Sequence, residues 1–448
     1  MIAVKSSLSM YVAKHRRVGS YNIVHQITAV LVGAGARGRF VYGKYASKYP
    51  EELKIVAVAE PNEERRQLAA TEHGLQSDQV YESWERVLSN VKIADVAVIS
   101  TQDRMHFAPT MKALELGYDV LLEKPMSPTE EEVVEMVRAS REYDRHLTVS
   151  HVLRYTPFWS KVKETIASGA IGRIVSIQLS ENVGYFHMAH SFVRGNWNKA
   201  EETSPMILQK SCHDMDILSW LIDERCQRVS SYGSLLHFRQ ENAPIGSTPR
   251  CTDGCAVERE CPYSAVRIYE EDDSHEFSRF ITNDLSRASI RHAIEEGPFG
   301  RCVYRCDNNV VDHQVVNVEF ESGSTASFTM SGFSHDISRT VQVMGTMGEI
   351  RGYMEKSELV LYPYGKEAID IQVAVEEGGH GGGDEGLMRE FLKEVRKENR
   401  NVGQALTSAE ASLQSHQMAF AAEQSRLAGG SSVTISGLNA QHAITIGS

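Results

Sequence analysis

The chain is predicted to be α/β, with an N-terminal doubly wound parallel sheet followed by an α+β part built on a large, mostly antiparallel open sheet. Three observations in its 448 residues carry that expectation. A strand-like run leads through a glycine-rich loop into a helix start at 27–38. Strand-like and helix-like runs then alternate to about residue 150, as a parallel sheet joined by crossover helices requires. Beyond about 155 the apolar period changes to two. The expected division is an N-terminal arm over 1–25, a first domain over 26–150 and a second over 151–448, with a cysteine-containing insertion at about 240–306.

In order, strands are expected at 27–32, 54–59, 95–100, 118–122 and 146–151, separated by helices at 37–49, 63–73, 83–88, 107–117 and 129–143. Ser127-Pro128-Thr129-Glu130 reads as a helix start and Gly117 as a helix end. In the second half, runs at 173–179, 315–320, 325–330 and 340–343 alternate as half-buried strands do. A helix is expected at 210–222, and two closing helices at 384–397 and 407–427, the last returning towards the first domain. The stretch 240–306 is rich in charge, Pro and Gly.

The loop Gly33-Ala34-Gly35-Ala36-Arg37-Gly38 is G-x-G-x-x-G between a strand and a helix, the Rossmann dinucleotide layout. The first glycine permits the turn, the second lets the backbone approach a pyrophosphate, and the third lets helix and strand pack closely. The phosphates would meet the positive end of the helix. Glu60 ends the next strand, 22 residues after Gly38, and a carboxylate there suits the ribose hydroxyls of NAD. Arg37 and Arg65 are near enough in sequence to accept a 2′-phosphate, so NADP is the less favoured cofactor. The next two strands end in Thr101-Gln102-Asp103-Arg104-Met105-His106 and in Glu123-Lys124-Pro125. Both emerge at the carboxyl edge of the sheet, where such folds bind ligands.

A net charge of −12 argues against nucleic acid or an anionic membrane as partner. No apolar run reaches bilayer length, and His15-Arg16-Arg17 lacks the apolar stretch of an export signal. Seven clustered cysteines fit a reducing cytoplasm better than a disulfide framework.

The 33–38 loop, Glu123-Lys124-Pro125 and the strand–helix layout together resemble the glucose–fructose oxidoreductase, inositol dehydrogenase and rhizopine-catabolism (Gfo/Idh/MocA) family. Thr101, Gln102 and His106 are similar to its loop beside the cofactor. His151-Val152-Leu153-Arg154-Tyr155 is similar to its crossover into the second domain. The resemblance implies NAD(P)-dependent hydride transfer between nicotinamide and a hydroxyl-bearing carbon of a sugar, cyclitol or sugar derivative. It also implies a homodimer or homotetramer. The alternative on the same scaffold is a redox-neutral, NAD-dependent glycoside hydrolase.

His213 coincides with the family's catalytic histidine, and a base within reach of the substrate hydroxyl is what such a reaction needs. Lys124 and Lys210 are the candidate cationic partners. Four residues before His213, many family members carry an aspartate; here Gln209 stands instead and cannot hold an imidazolium by charge. Helical spacing brings Gln209, His213 and Asp216 to one face. Arg154, Tyr155, His190, Arg194, Asn196 and Asp216 are the candidates for gripping a hydroxylated substrate, with Arg194 suited to a carboxylate or phosphate.

Cys251, Cys255 and Cys261 lie in one insertion, with Cys302 as the preferred fourth thiol. Together they suit a structural zinc ion, with an iron–sulfur cluster or free thiols as the alternatives.

Overall fold

The structure, a computed structural model, describes residues 25–435 apart from 90, 276, 377–378, 398–402 and 404. All but the last residue of the expected arm over 1–25 lies outside the described residues.

The first sheet is parallel, with strands β1 (Ile27–Val32), β2 (Leu53–Ala59), β3 (Val80–Tyr81), β4 (Val96–Ile99), β5 (Asp119–Leu122) and β6 (Leu147–Val149) in the order β3-β2-β1-β4-β5-β6. The central strands read as unbroken apolar runs because helices cover both faces; β4 and β5 are buried along their whole length. The order reverses between β1 and β4. The connections leaving these two strands therefore diverge to opposite faces and leave a crevice at the carboxyl edge. Strand β3 was not expected from the sequence: two half-buried residues are too short to show a period.

The expected first helix is present, but its opening turns are π-type over Gly38–Gly43 before α-helix at Lys44–Lys48. Glycines at both ends of that wider segment permit close packing. A Cβ on Gly38 would stand 2.1 Å from the Gly33 carbonyl oxygen, and one on Gly43 would stand 2.9 Å from the His73 ring.

The second sheet has nine strands among the described residues. They are β7 (Ile174–Asn182), β8 (Cys226–Ser234), β9 (His313–Phe320), β10 (Thr325–Ser331), β11 (Ser338–Gly345), β12 (Gly348–Tyr353), β13 (Glu358–Pro363), β14 (Ile369–Asp370) and β15 (Val433–Thr434). Their order is β14-β13-β12-β11-β7-β10-β9-β8-β15, and only β7 and β10 pair in parallel. In β7, Ile177, Leu179 and Glu181 point inward while Gln178 is exposed, and β9 and β10 alternate in the same way.

Behind this sheet pack the helices Pro157–Ala167 and Cys212–Ile222. The first is capped by Thr156, whose hydroxyl accepts from the Trp159 N–H at 3.2 Å. The insertion between β8 and β9 contributes no strand to either sheet; its own helix is Arg287–Glu296. The helix expected at 210–222 is present as Cys212–Ile222; a short segment not expected from the sequence, Met206–Gln209, precedes it, with Lys210 and Ser211 at the junction.

The closing helices do not stay with the second sheet. Gly383–Val395 packs Leu387, Met388, Phe391 and Leu392 against the same core as Leu31 of β1 and Val98 of β4. In Ala409–Leu427, Ala409 and Leu413 join the core on the other side of the first sheet, whereas Met418, Ala419, Ala421 and Ala422 join that of the second. Residues after 380 therefore cover both faces of the first sheet.

Candidate active site

Gly33 follows β1 at φ +92°, a conformation that favours glycine, and a Cβ there would stand 2.6 Å from the Ser100 carbonyl oxygen. Gly35 differs: its Cβ would meet nothing within 4 Å. No neighbour in the fold demands glycine there, so the open ground beside its backbone is where a pyrophosphate can lie against the N–H groups of Gly35 and Ala36. Glu60 is buried at the end of β2, where its carboxylate accepts from the Ala34 N–H at 2.7 Å and the Asn62 N–H at 2.9 Å. These features fit a bound dinucleotide.

Across the crevice, Glu123 accepts from Arg37 Nε and from the Tyr42 hydroxyl, each at 2.5 Å. Burial alone would raise its pKa, but Arg37, Tyr42 and Lys124 together hold it below the usual carboxylate value. Arg37 also donates to Asp384 Oδ1 at 2.9 Å and to the Tyr42 hydroxyl at 3.4 Å, so its guanidinium is engaged by two acids and a phenol. His106 spans the two carboxyl-edge loops, with Nδ1 2.7 Å from the Pro125 oxygen and Nε2 3.1 Å from the Thr101 oxygen. Thr101 turns its hydroxyl to the Met105 carbonyl at 3.0 Å. Gln102 caps the short turn Asp103–Met105 without a side-chain bond. These contacts set the loops' shape.

Lys124 reaches across to the second half of the molecule and donates to the Gln209 carbonyl at 2.7 Å. This bond places the ammonium beside the junction between the two helical segments, and so beside His213. The His213 ring is 5% exposed, and its Nδ1 has no hydrogen-bond partner. Burial first, then the charge of Lys124 and the neighbouring His151 and His380, push its pKa well below the ordinary value. The ring is therefore a neutral base at pH 7. Lys210 points to Glu181 at 3.1 Å, and Glu181 and Asp214 are both paired to Arg339. Two cations and two acids thus fix the start of the His213 helix from below.

The structure gathers Lys124, Lys210 and His213 around that junction, and adds a group the sequence reading missed. His380 stands at φ 52° in a glycine-rich turn, its ring 5.9 Å from that of His213 and its Nδ1 3.2 Å from Asp384 Oδ2. Despite burial, Arg37 and His380 hold the Asp384 carboxyl well below its usual range. The carboxylate thus brought in from a distant segment is bonded to His380 and Arg37, not to His213. The only signal in the sequence is a histidine between paired glycines, Gly378-Gly379-His380-Gly381-Gly382.

Other expected substrate residues are committed within the fold. Asp216 holds Arg154 in a two-pronged pair at 2.7 Å on both prongs, and Arg154 also donates to the Leu406 carbonyl at 2.8 Å. Tyr155 bonds Thr407 at 2.8 Å. His190 bonds the Tyr269 hydroxyl at 2.8 Å and stacks on Phe299, and burial pushes its pKa down to about 3. Arg194 donates to the Arg301 and Tyr263 carbonyls at 2.7 and 2.6 Å. Asn196 is exposed. In the 185–197 stretch, His187 feels the charges of the cluster: burial first, then Lys210, His190 and Lys124, lower its pKa well below the ordinary value.

Cys251, Cys255, Cys261 and Cys302 line one cavity in the insertion. Among the described residues, however, no three His, Cys, Asp or Glu side chains stand at the spacing of a closed metal site.

The sequence profile of an oxidoreductase family's NAD-binding Rossmann fold, Gfo/Idh/MocA, matches residues 27–151. The profile of its C-terminal α/β domain matches 163–435. The chain belongs to the Gfo/Idh/MocA family. Its members are NAD-binding oxidoreductases, and this chain is one. YteT of Bacillus subtilis is 26% identical over 68% of this chain and 73% of its own length. Inositol 2-dehydrogenase 4 of Saccharopolyspora erythraea is 29% identical over 49% of this chain and 60% of its own length. An inositol dehydrogenase homologue from Azotobacter vinelandii, solved with NADH and myo-inositol, superimposes with a TM-score of 0.65 at 16% identity, covering 92% of this chain and 98% of that one. That likeness establishes the Gfo/Idh/MocA fold. No described helix is long and apolar enough to cross a membrane.

Proposed function

We propose that this protein is an NAD-dependent dehydrogenase of a hydroxyl-bearing carbon in a sugar, cyclitol or sugar derivative, with His213 as the base. One observation carries the reading: a buried, neutral imidazole with a free ring nitrogen stands next to a lysine from the carboxyl edge of β5. Bound NAD supplies the hydride acceptor. The loop 33–38 and Glu60 hold the dinucleotide, and Glu60 favours NAD because its charge opposes a 2′-phosphate.

Lys124 orients the substrate hydroxyl and lowers the cost of negative charge on its oxygen, while His213 takes the proton. Lys210, anchored on Glu181, keeps the junction in place. The sugar or cyclitol class is supported by the names of relatives, inositol 2-dehydrogenase among them. The test is reduced-nicotinamide absorbance with NAD and a panel of cyclitols, aldoses, sugar acids and glycosides. Sustained accumulation with one compound is expected; a flat signal with every cyclitol, aldose and sugar acid overturns the dehydrogenase reading for those classes.

A second reading, redox-neutral glycoside cleavage, is favoured by His380 and Asp384. Elimination followed by water addition needs one group to remove a proton and another to protonate the departing oxygen. Two imidazoles 5.9 Å apart, one bonded to a carboxylate, meet that need. Release of aglycone that requires NAD without net NADH would select it, and His380→Gln would then suppress release.

A further inference from the structure

We propose that the insertion between β8 and β9 holds a zinc ion on Cys251, Cys255, Cys261 and Cys302, with Arg194 and Arg250 balancing its charge. The four thiols line a single cavity of about 20 Å³, space for one small ion or water. They come from 251–261 and from 302, so a shared ion would clip the two ends of the insertion together. Cys306 is not part of the wall; its sulfur lies 3.4 Å from the Cys302 carbonyl.

The surroundings of the cavity point to negative sulfur. Arg194 lines it at 2% exposure, and its partners are neutral: two carbonyls, the Tyr269 hydroxyl and the Cys251 sulfur, 3.7 Å from Nη2. Arg250 lines it too, donates to the carbonyls of Ile294 and Gly297, and leaves a buried Nε without a partner. The one carboxylate in the wall, Glu258, takes the Ser264 hydroxyl and pairs with neither arginine. A guanidinium enclosed without an anion is costly.

The sulfurs, in turn, receive backbone donors. The Ala265 N–H lies 3.4 Å from Cys251, and the N–H groups of Tyr263 and Tyr304 are directed at Cys261 and Cys302.

Zn²⁺ with four thiolates carries −2, which two guanidiniums neutralise; the four thiol protons leave to solvent on binding. Two disulfides would be neutral, leaving both arginines without a counter-charge, and the seven cysteines are unpaired. The described thiols are not at ligand spacing, so binding requires the cysteine side chains to rotate towards the small cavity they line. Hard-cation alternatives such as Mg²⁺ are disfavoured by an all-sulfur donor set.

The test uses the full chain purified without chelator. Metal analysis is expected to find one zinc per chain. After zinc is stripped with a mercurial and a chelator, cobalt titration should produce the sulfur-to-cobalt charge-transfer and visible bands of tetrahedral thiolate coordination. Cys255→Ser should weaken these bands at least tenfold in affinity, and Cys306→Ser should leave them unchanged. Absence of zinc together with no cobalt bands in the wild-type chain overturns the proposal, as does one iron per chain in place of zinc. Because the wild-type spectrum decides, a misfolded variant cannot rescue the idea.

Discussion

At the residue scale, the molecule turns on what surrounds His213. An imidazole kept neutral by burial and a nearby ammonium acts as a base without first losing a proton. His213→Asn is expected to lower kcat roughly 10²–10⁴-fold, the ordinary worth of a positioned acid–base group, with NAD binding by fluorescence quenching unchanged; a loss of NAD binding instead would move His213 out of the proton-handling role. Glu60→Ala should shift the NAD-to-NADP affinity ratio about tenfold towards NADP, about 1.4 kcal/mol, read by paired binding titrations. The sequence revealed Lys124, His213 and the glycine loop because each sits in a local motif. It did not reveal His380, whose neighbours His213 and Asp384 arrive by tertiary folding. Nor did it reveal that Arg194 and His190 are absorbed by the insertion, since both look like free polar groups in a linear reading.

At the element scale, the elements with long apolar periods were legible and the short ones were not. β1 runs over the expected 27–32, and Glu63–His73 agrees at both ends, where Asn62 caps the start and Gly74 at φ 62° ends it. β3 was too short to read, and the four-residue segment Met206–Gln209 ahead of the expected helix is likewise too short to show a 3.6-residue period. The helix Gly383–Val395 is the element whose packing most changes the expected division of the chain. Phe391→Ala there should cost ~3–5 kcal/mol, as buried aromatic deletions do, and shift the urea midpoint while lowering NAD affinity. A shift in stability below about 1 kcal/mol would mean this face of the first sheet does not depend on the helix.

At the scale of the whole molecule, buried histidines couple folding to acidity. His151, His187, His190, His213 and His416 all lie below the ordinary value, chiefly through burial. The unfolded chain protonates them near pH ~6.5 while the folded chain does not, so the unfolded state binds more protons below that pH. Stability is therefore greatest above the unfolded value and falls as pH drops towards the folded ones, about 3 for His190 and His416. Each such histidine contributes up to about 1.4 kcal/mol per pH unit in that window. Urea midpoints measured from pH 7.5 to 5 should fall and steepen below 6.5; a constant midpoint would contradict the burial of these rings as neutral groups.

The return of the closing helices to the first sheet also sets the order in which the protein can be made. A ribosome releases the N-terminus first, and domains ordinarily fold as they emerge. Here β1 to β6 are complete once residue 149 has been made, but the side chains that cover both faces, Leu387 to Leu392 and Ala409 to Leu413, are translated last. The nucleotide-binding sheet must wait, partly bare, for more than half of the chain to be synthesised, and this interval is when the nascent protein has most need of a chaperone.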